Sequence, residues 1–310
     1  MEGAETDAKT DPVADNGDPA QPAGIVTPQS CPSCGNTVGP RQNISPRENM
    51  PMLPVATFVY AVGRIEPRFP RLSVEKEFAQ ATGRAETTGL TDRQVLHQVL
   101  SQRHNRYLAR QLCWVLTIEG LDTYLLHPRD PADLDLLIET LRPNPREMDI
   151  DVVIGVRGPI APPDACNGLT VPIVLFDQVY SFDRAALING LPRPKDAPEE
   201  DFRRAAGELF DRIMLMADNA GATDEHRALN YLAVRYPPIY ANVRDAFHRN
   251  LSLTSVEVRP SALSGARKVV EVVFSFTNRT TDVMEAFFVR VDVTEEFPFL
   301  VTKMSPFFNR

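Results

Sequence analysis

The sequence predicts an α+β protein with a mixed N-terminal region, a helical middle and a C-terminal antiparallel sheet. Three observations predict it. Apolar, β-branched runs alternate with capped helical segments through the first half of the chain. Apolar residues recur at helical spacing between Phe202 and Tyr236. In the last sixty or so residues the apolar positions instead alternate with period two. The composition agrees: 310 residues, 43% hydrophobic and 24% charged, is ordinary for a globular protein. Proline is the outlier at 27 residues, which predicts short helices and many turns.

Taken in order, Val55–Ile65 (VATFVYAVGRI) reads as a strand buried on both faces, ended by Pro67 and Pro70. LSVEKEFAQAT follows as a helix with Ser73 as N-cap. Thr91 with Gln94 is a capping-box pattern opening a second helix. Leu112–Pro128 reads as two strands around a turn at Glu119–Asp122. PADLDLLIETL is a helix with Pro131 near its first position. DVVIGV and LTVPIVLFDQVY are strands joined by the loop RGPIAPPDACNG, and a helix is expected from Ser181. Phe202–Met216 is a helix, and Thr223 caps another that Pro237-Pro238 stops or bends. A further short helix runs to about His248. SVEVR, VVEVVFSF, FFVRVDVTEEF and FLVTKM are four strands of a meander with one buried and one wet face. The expected organisation is an acidic tail over 1–30, a CxxC segment and linker over 31–54, a mixed and helical region over 55–250, and the β-meander over 251–310, packed on the preceding region.

The formal net charge is −8, but residues 1–30 carry −5 of it, with six acids against Lys9. That tail has no aromatic residue and reads as disordered. The rest is nearly neutral, so the basic excess of a general nucleic-acid binder is missing. No apolar run approaches the ~18 residues of a membrane span, and the first residues have neither a basic start nor an apolar stretch. The expectation is a cytoplasmic protein with no nucleic-acid or membrane partner.

Four cysteines are present: Cys31, Cys34, Cys113 and Cys166. A cytosolic setting argues against structural disulfides. Cys31-Pro-Ser-Cys34-Gly has the spacing of half a zinc site, and the count of four matches a closed tetrahedral site of four thiolates. A structural zinc on Cys31, Cys34, Cys113 and Cys166 is therefore expected, with an unmetallated CxxC as the alternative. Cys113, beside Trp114, also suits a buried core thiol. Among the histidines, His226 lies in Thr223-Asp224-Glu225-His226-Arg227, which reads first as an acidic first turn of a helix and only second as an acid/base pair. His104 lies among Arg103, Arg106 and Arg110, a solvated helix face or a pocket for an anion or peptide carboxylate. GxSxG, GxxxxGK[ST] and GxGxxG are all absent, so no catalytic or cofactor-binding residue is assigned.

Several long strings, among them CPSCG, FVYAVGRIEPRFPRLSVEKEFAQATGR, RGPIAPPDACNGLTVPIVLFDQVYSFD, MADNAGATDEHRALNYLAVRYP and FFVRVDVTEEFPFLVTKMSP, resemble one family. It is the C-terminal domain of unknown function of the patellamide (cyanobactin) maturation proteases, and the resemblance runs from about Cys31 to Arg310. In those proteins the domain follows a subtilisin-like protease or macrocyclase, and this chain has none of the triad motifs. The resemblance implies a pathway, the maturation of ribosomally made, post-translationally modified peptides, and no catalytic residue. The expected function is a non-catalytic accessory or binding module that holds a precursor peptide, a peptide-modifying enzyme, or both, with an extended peptide adding to an edge of the C-terminal sheet. Two alternatives stand beside it: an enzyme of unfamiliar, zinc-dependent mechanism acting on a peptide, and a purely structural dimerisation domain, a homodimer.

Overall fold

A computed structural model of the chain describes residues 57–83, 88–141, 149–183, 199–214 and 219–308. The acidic tail and the CxxC segment lie outside the described residues.

The first half builds a closed five-stranded barrel from β1 (Thr57–Arg68), β2 (Cys113–Ile118), β3 (Leu121–Pro128), β4 (Asp149–Ile160) and β5 (Pro172–Asp183). Around the barrel the order is β1-β2-β3-β5-β4. All neighbours are antiparallel except β3 and β5, which run parallel. β2 and β3 form a two-residue hairpin at Glu119-Gly120, where both residues have positive φ (50° and 78°), the conformation that matches strand twist. β1 continues through Pro67 rather than ending there. Pro67 sits opposite Trp114 in the stretch where β1 pairs with β2 alone, so its missing N–H costs no second ladder.

Four short helices close over one set of barrel side chains: α1 (Leu72–Thr82), α2 (Asp92–Ser101), α3 (Arg106–Gln111) and α4 (Leu134–Thr140). Val59, Ala61, Ile65, Trp114, Leu116, Leu126 and Phe176 pack there with Leu100, Leu108 and Leu137. The α2 cap is the expected box: Thr91 Oγ1 accepts from Gln94 N, and Gln94 Oε1 accepts from Thr91 N at 2.9 Å. The α1 span is as expected, but its N-cap is Arg71 without a side-chain bond, and Ser73 lies inside the helix. No helix starts at Ser181. That residue extends β5 opposite Asp151 and donates to its carboxylate.

The other barrel face carries Tyr60, Val62, Val152 and Ile154 into a second core shared with α5 (Glu199–Met214), α6 (Asp224–Arg235), α7 (Pro238–His248) and the C-terminal sheet. Thr223 caps α6 by accepting from His226 N at 3.1 Å. The double proline ends α6 and reopens the chain as α7, with Pro238 in its first turn. The segment ahead of α6 is pinned to β1. Tyr60 N donates to Gly221 O at 2.9 Å, and Asn230 Nδ2 donates to Tyr60 O at 2.8 Å. Asn219 Nδ2 donates to Asn230 Oδ1 at 2.8 Å, and Tyr124 OH to Ala220 O at 2.9 Å.

The second sheet is a meander of β6 (Leu251–Pro260), β7 (Val269–Asn278), β8 (Met284–Asp292) and β9 (Phe299–Phe307), antiparallel throughout, with β6 and β9 at its edges. Val270, Val272, Phe274, Phe276, Val289 and Val291 face the shared core. The opposite face is not simply wet. Glu271, Val273 and Ser275 are also buried, because long neighbours cross over them. Glu271 accepts from Arg259 (2.7 Å) and Arg290 (2.8 Å), while those guanidinium groups lie over Phe307 and Phe288 at 4.8 and 4.6 Å. Covering β7 on both faces uses the apolar stems of arginine as packing material.

Candidate functional site

Cys113 and Cys166 meet, as a shared site would require. They form a disulfide with a Cα separation of 5.9 Å, buried among Val115, Leu125 and Ala161. A disulfide sulfur is not a thiolate, so in this state the pair supplies no zinc ligand. The expectation against a structural disulfide is corrected by this contact. It arises because the loop joining β4 to β5 folds back on itself, with Gly168 N donating to Pro163 O at 2.7 Å and Leu169 N to Cys166 O at 2.8 Å, which turns Cys166 toward β2. Cys31 and Cys34 lie outside the described residues. Among the described residues no group of three or more His, Cys, Asp or Glu is arranged to hold a metal. No helix among them is long and apolar enough to cross a membrane.

The motif around His226 resolves as a helix start, and its working residue is Arg227. Arg227 is 2% exposed. It donates to Val293 O (2.8 Å) and to the carbonyls of Glu295 and Glu296, and its guanidinium lies 5.3 Å from the Phe58 ring. Burial pulls its pKa below the ordinary arginine value, against the pull of Asp224. The loop it holds brings Glu296 to Asp177, which occupies the bulge of β5. Arg129 reaches Asp177 at 2.6 Å and Glu296 at 3.6 Å. Nothing local in the sequence marks this junction, since its members lie on four separate segments.

A groove of about 540 Å³ lies between α5, α7 and β6. Its floor is apolar: Leu209 from α5, Val243 from α7, and Leu251 and Leu253 from β6. The 3.6-residue period of α5 places Leu209, Phe210 and Ile213 toward the core and leaves Glu208, Asp211 and Arg212 on the rim. Phe247 forms one wall, with the guanidinium groups of Arg204 and Arg279 over its ring at 5.6 and 4.7 Å. Arg279 Nε donates to Ser252 Oγ at 2.6 Å, which fixes the cation at the mouth.

β6 borders this groove with its free edge. Among the described residues it pairs with β7 on one side only, so the backbone groups of the other side have no strand partner there. Arg212 donates to one of these carbonyls, that of Leu253. A bulge at Thr254 breaks the regular register just beyond it. Sequence reasoning placed the four strands and named the sheet edges, but it did not single out Phe247, Arg279 or Arg212. Their one sequence signal is the apolar stripe of α5 and α7 meeting an edge strand.

The arginines around His104 also come together. Arg103, Arg106 and Arg110 line a second depression of about 500 Å³ opposite Pro131, Leu134 and Asp135. Arg103, His104 and Arg110 are exposed, as the reading of a solvated helix face expects, and the depression lies on that face.

Comparison with known proteins bears on the groove. No curated protein matches the chain. The fold is similar to a solved structure described as the PatG domain of unknown function, with a TM-score of 0.68 and 20% identity over 82% of this chain and 99% of that one. Residues 196–307 match the family model described as PatG C-terminal, and every residue lining the groove falls inside that span. On this evidence the chain carries a PatG C-terminal-like domain.

Proposed function

We propose that this protein is a non-catalytic accessory module in the maturation of ribosomally synthesised, post-translationally modified peptides of the cyanobactin kind. It holds an extended peptide along the free edge of β6. The observation that carries this reading is a strand edge with no partner among the described residues, beside an apolar-floored groove, both within the segment that matches the PatG C-terminal family. An added strand gains main-chain hydrogen bonds from the edge and buries every second side chain in the groove. The bound segment is part of a precursor peptide or of a peptide-modifying enzyme.

The test is a titration of a fluorescently labelled cyanobactin-type precursor peptide. Wild type binds it saturably. Ser252→Arg, which projects a long side chain into the groove mouth, and Phe247→Ala, which removes its wall, each weaken binding at least tenfold with the fold intact by circular dichroism. Unchanged affinity in both variants contradicts the site.

We also propose a zinc form. In the reduced chain Cys113 and Cys166, already 5.9 Å apart at Cα, become two thiolates able to share one tetrahedral ion with Cys31 and Cys34. Its metal would tie the CxxC segment to β2 and the loop after β4. Elemental analysis of tag-free protein purified under reducing conditions is expected to give one zinc per chain, absent in Cys31→Ser/Cys34→Ser. Metal-free reduced protein contradicts it.

A further inference from the structure

We propose that the depression beside α3 is a second, independent binding site, and that it takes the carboxylate of a peptide. The 3₁₀ turn Arg103–Asn105 runs directly into α3, so Arg103, Arg106 and Arg110, spaced three and four apart, fall on one side of the chain. The turn is fixed from within. Asn105 is buried and donates to Val99 O at 3.0 Å, so the arginines project from a rigid base.

The three guanidinium groups are not equivalent. Arg106 is paired with Asp135 of α4. Arg103 and Arg110 make no side-chain hydrogen bond or ion pair among the described residues, and both are exposed. The depression of about 500 Å³ therefore offers two unengaged cationic forks on either side of a neutralised pair. The planar fork of arginine matches the two oxygens of a carboxylate. Across from the arginines, Pro131, Ala132 and Leu134 give the residue that bears the carboxylate something to pack on, and Asp135 beside them is held by Arg106.

A nucleic-acid strand fits less well. It needs a continuous basic stripe, and here Asp135 lines the depression, with Asp130 and Asp133 near it in sequence. A single carboxylate asks only for the two free arginines, since Asp135 is already paired with Arg106. This site does not depend on the β6 groove, and the peptides below are too short to span a strand addition.

The experiment is fluorescence anisotropy at low salt with three labelled tetrapeptides: one ending in leucine with a free C-terminus, the same peptide amidated, and an amidated peptide with an internal glutamate. A peptide carboxylate ligand predicts that the free acid, the glutamate peptide or both bind at least fivefold more tightly than the uncharged amide. Which of the two gains identifies the terminal or the side-chain carboxylate as the source. Arg103→Gln/Arg110→Gln abolishes that preference, whereas Lys76→Gln/Lys303→Gln, removing the same charge elsewhere on the surface, preserves it. Equal binding of all three peptides, or a preference that survives Arg103→Gln/Arg110→Gln, overturns the proposal.

Discussion

Glu296, in the loop ahead of β9, lies against Asp177 at the bulge of β5, and this carboxyl pair joins the barrel to the C-terminal sheet. Burial, then the hydrogen bond to Asp177 and the repulsion of its charge, push the Glu296 carboxyl from 4.5 up to about 7, against the opposing pull of Arg129 and Arg227. A second negative charge this close to Asp177 is disfavoured, so Glu296 keeps its proton below about pH 7 and releases it above.

The pH dependence follows from the direction of that shift. A carboxyl whose folded pKa is raised stabilises the fold fully below its unfolded value, near 4.5, and loses the contribution as pH rises through about 7. Glu296→Gln, permanently neutral, escapes the loss. Urea unfolding of wild type and Glu296→Gln at pH 5 and pH 8 is expected to show the variant gaining on the order of 1–2 kcal/mol relative to wild type across that interval. A constant difference between them contradicts the coupling.

Arg227 has several carbonyl acceptors in one loop, and its removal leaves them without a donor. Arg227→Met keeps much of the apolar stem over Phe58 but loses the hydrogen bonds. It is expected to cost about 3 kcal/mol in urea unfolding, with faster amide exchange across residues 293–296. A cost below ~1 kcal/mol would show that the loop holds itself.

Gly221 is the tightest point of the contact between the α6 approach and the barrel. Its φ is +68°, and a Cβ there would stand 2.3 Å from Tyr60 O and 2.7 Å from Ala61 Cα. Gly221→Ala meets both a strained backbone and a backbone clash, so a loss above about 2 kcal/mol is expected, read as a lower thermal midpoint. Gly89→Ala provides the contrast: its φ is +82° but nothing lies within 4 Å, and a smaller loss is expected from backbone strain alone.

Closing a loop of 53 residues, the Cys113–Cys166 disulfide is worth about 4 kcal/mol in the chain-entropy account. Thiol titration of Cys31→Ser/Cys34→Ser protein unfolded without reductant is expected to find no reactive cysteine, rising to two after reduction. Two thiols before reduction would mean that the pair is not oxidised in solution.

Much of the fold was legible because its signals are local. Thr91 with Gln94, Thr223 and the Pro237-Pro238 break each act within one helical turn, and the alternation of Val270, Val272, Phe274 and Phe276 is a property of one strand. Long-range contacts were not legible. Parallel pairing of β3 with β5 closes the barrel, and no pattern in either strand announces it. Ser181 looked like a helix start, but its partner Asp151 keeps it in β5. The outer face of β7 looked wet because Glu271 and Ser275 are polar, yet Arg259 and Arg290 cover it. Of the candidate sites, the arginine spacing around His104 was visible as a helical face, while Asp177 and Glu296 meet only through the fold.

Amide hydrogen exchange of the full-length protein, with and without the precursor peptide, tests the peptide-holding account most directly. Addition of the peptide is expected to slow exchange in Leu251–Val258 of β6 and to leave β9, at the opposite edge, unchanged. Protection confined to β9, or none in the C-terminal sheet at saturating peptide, contradicts it.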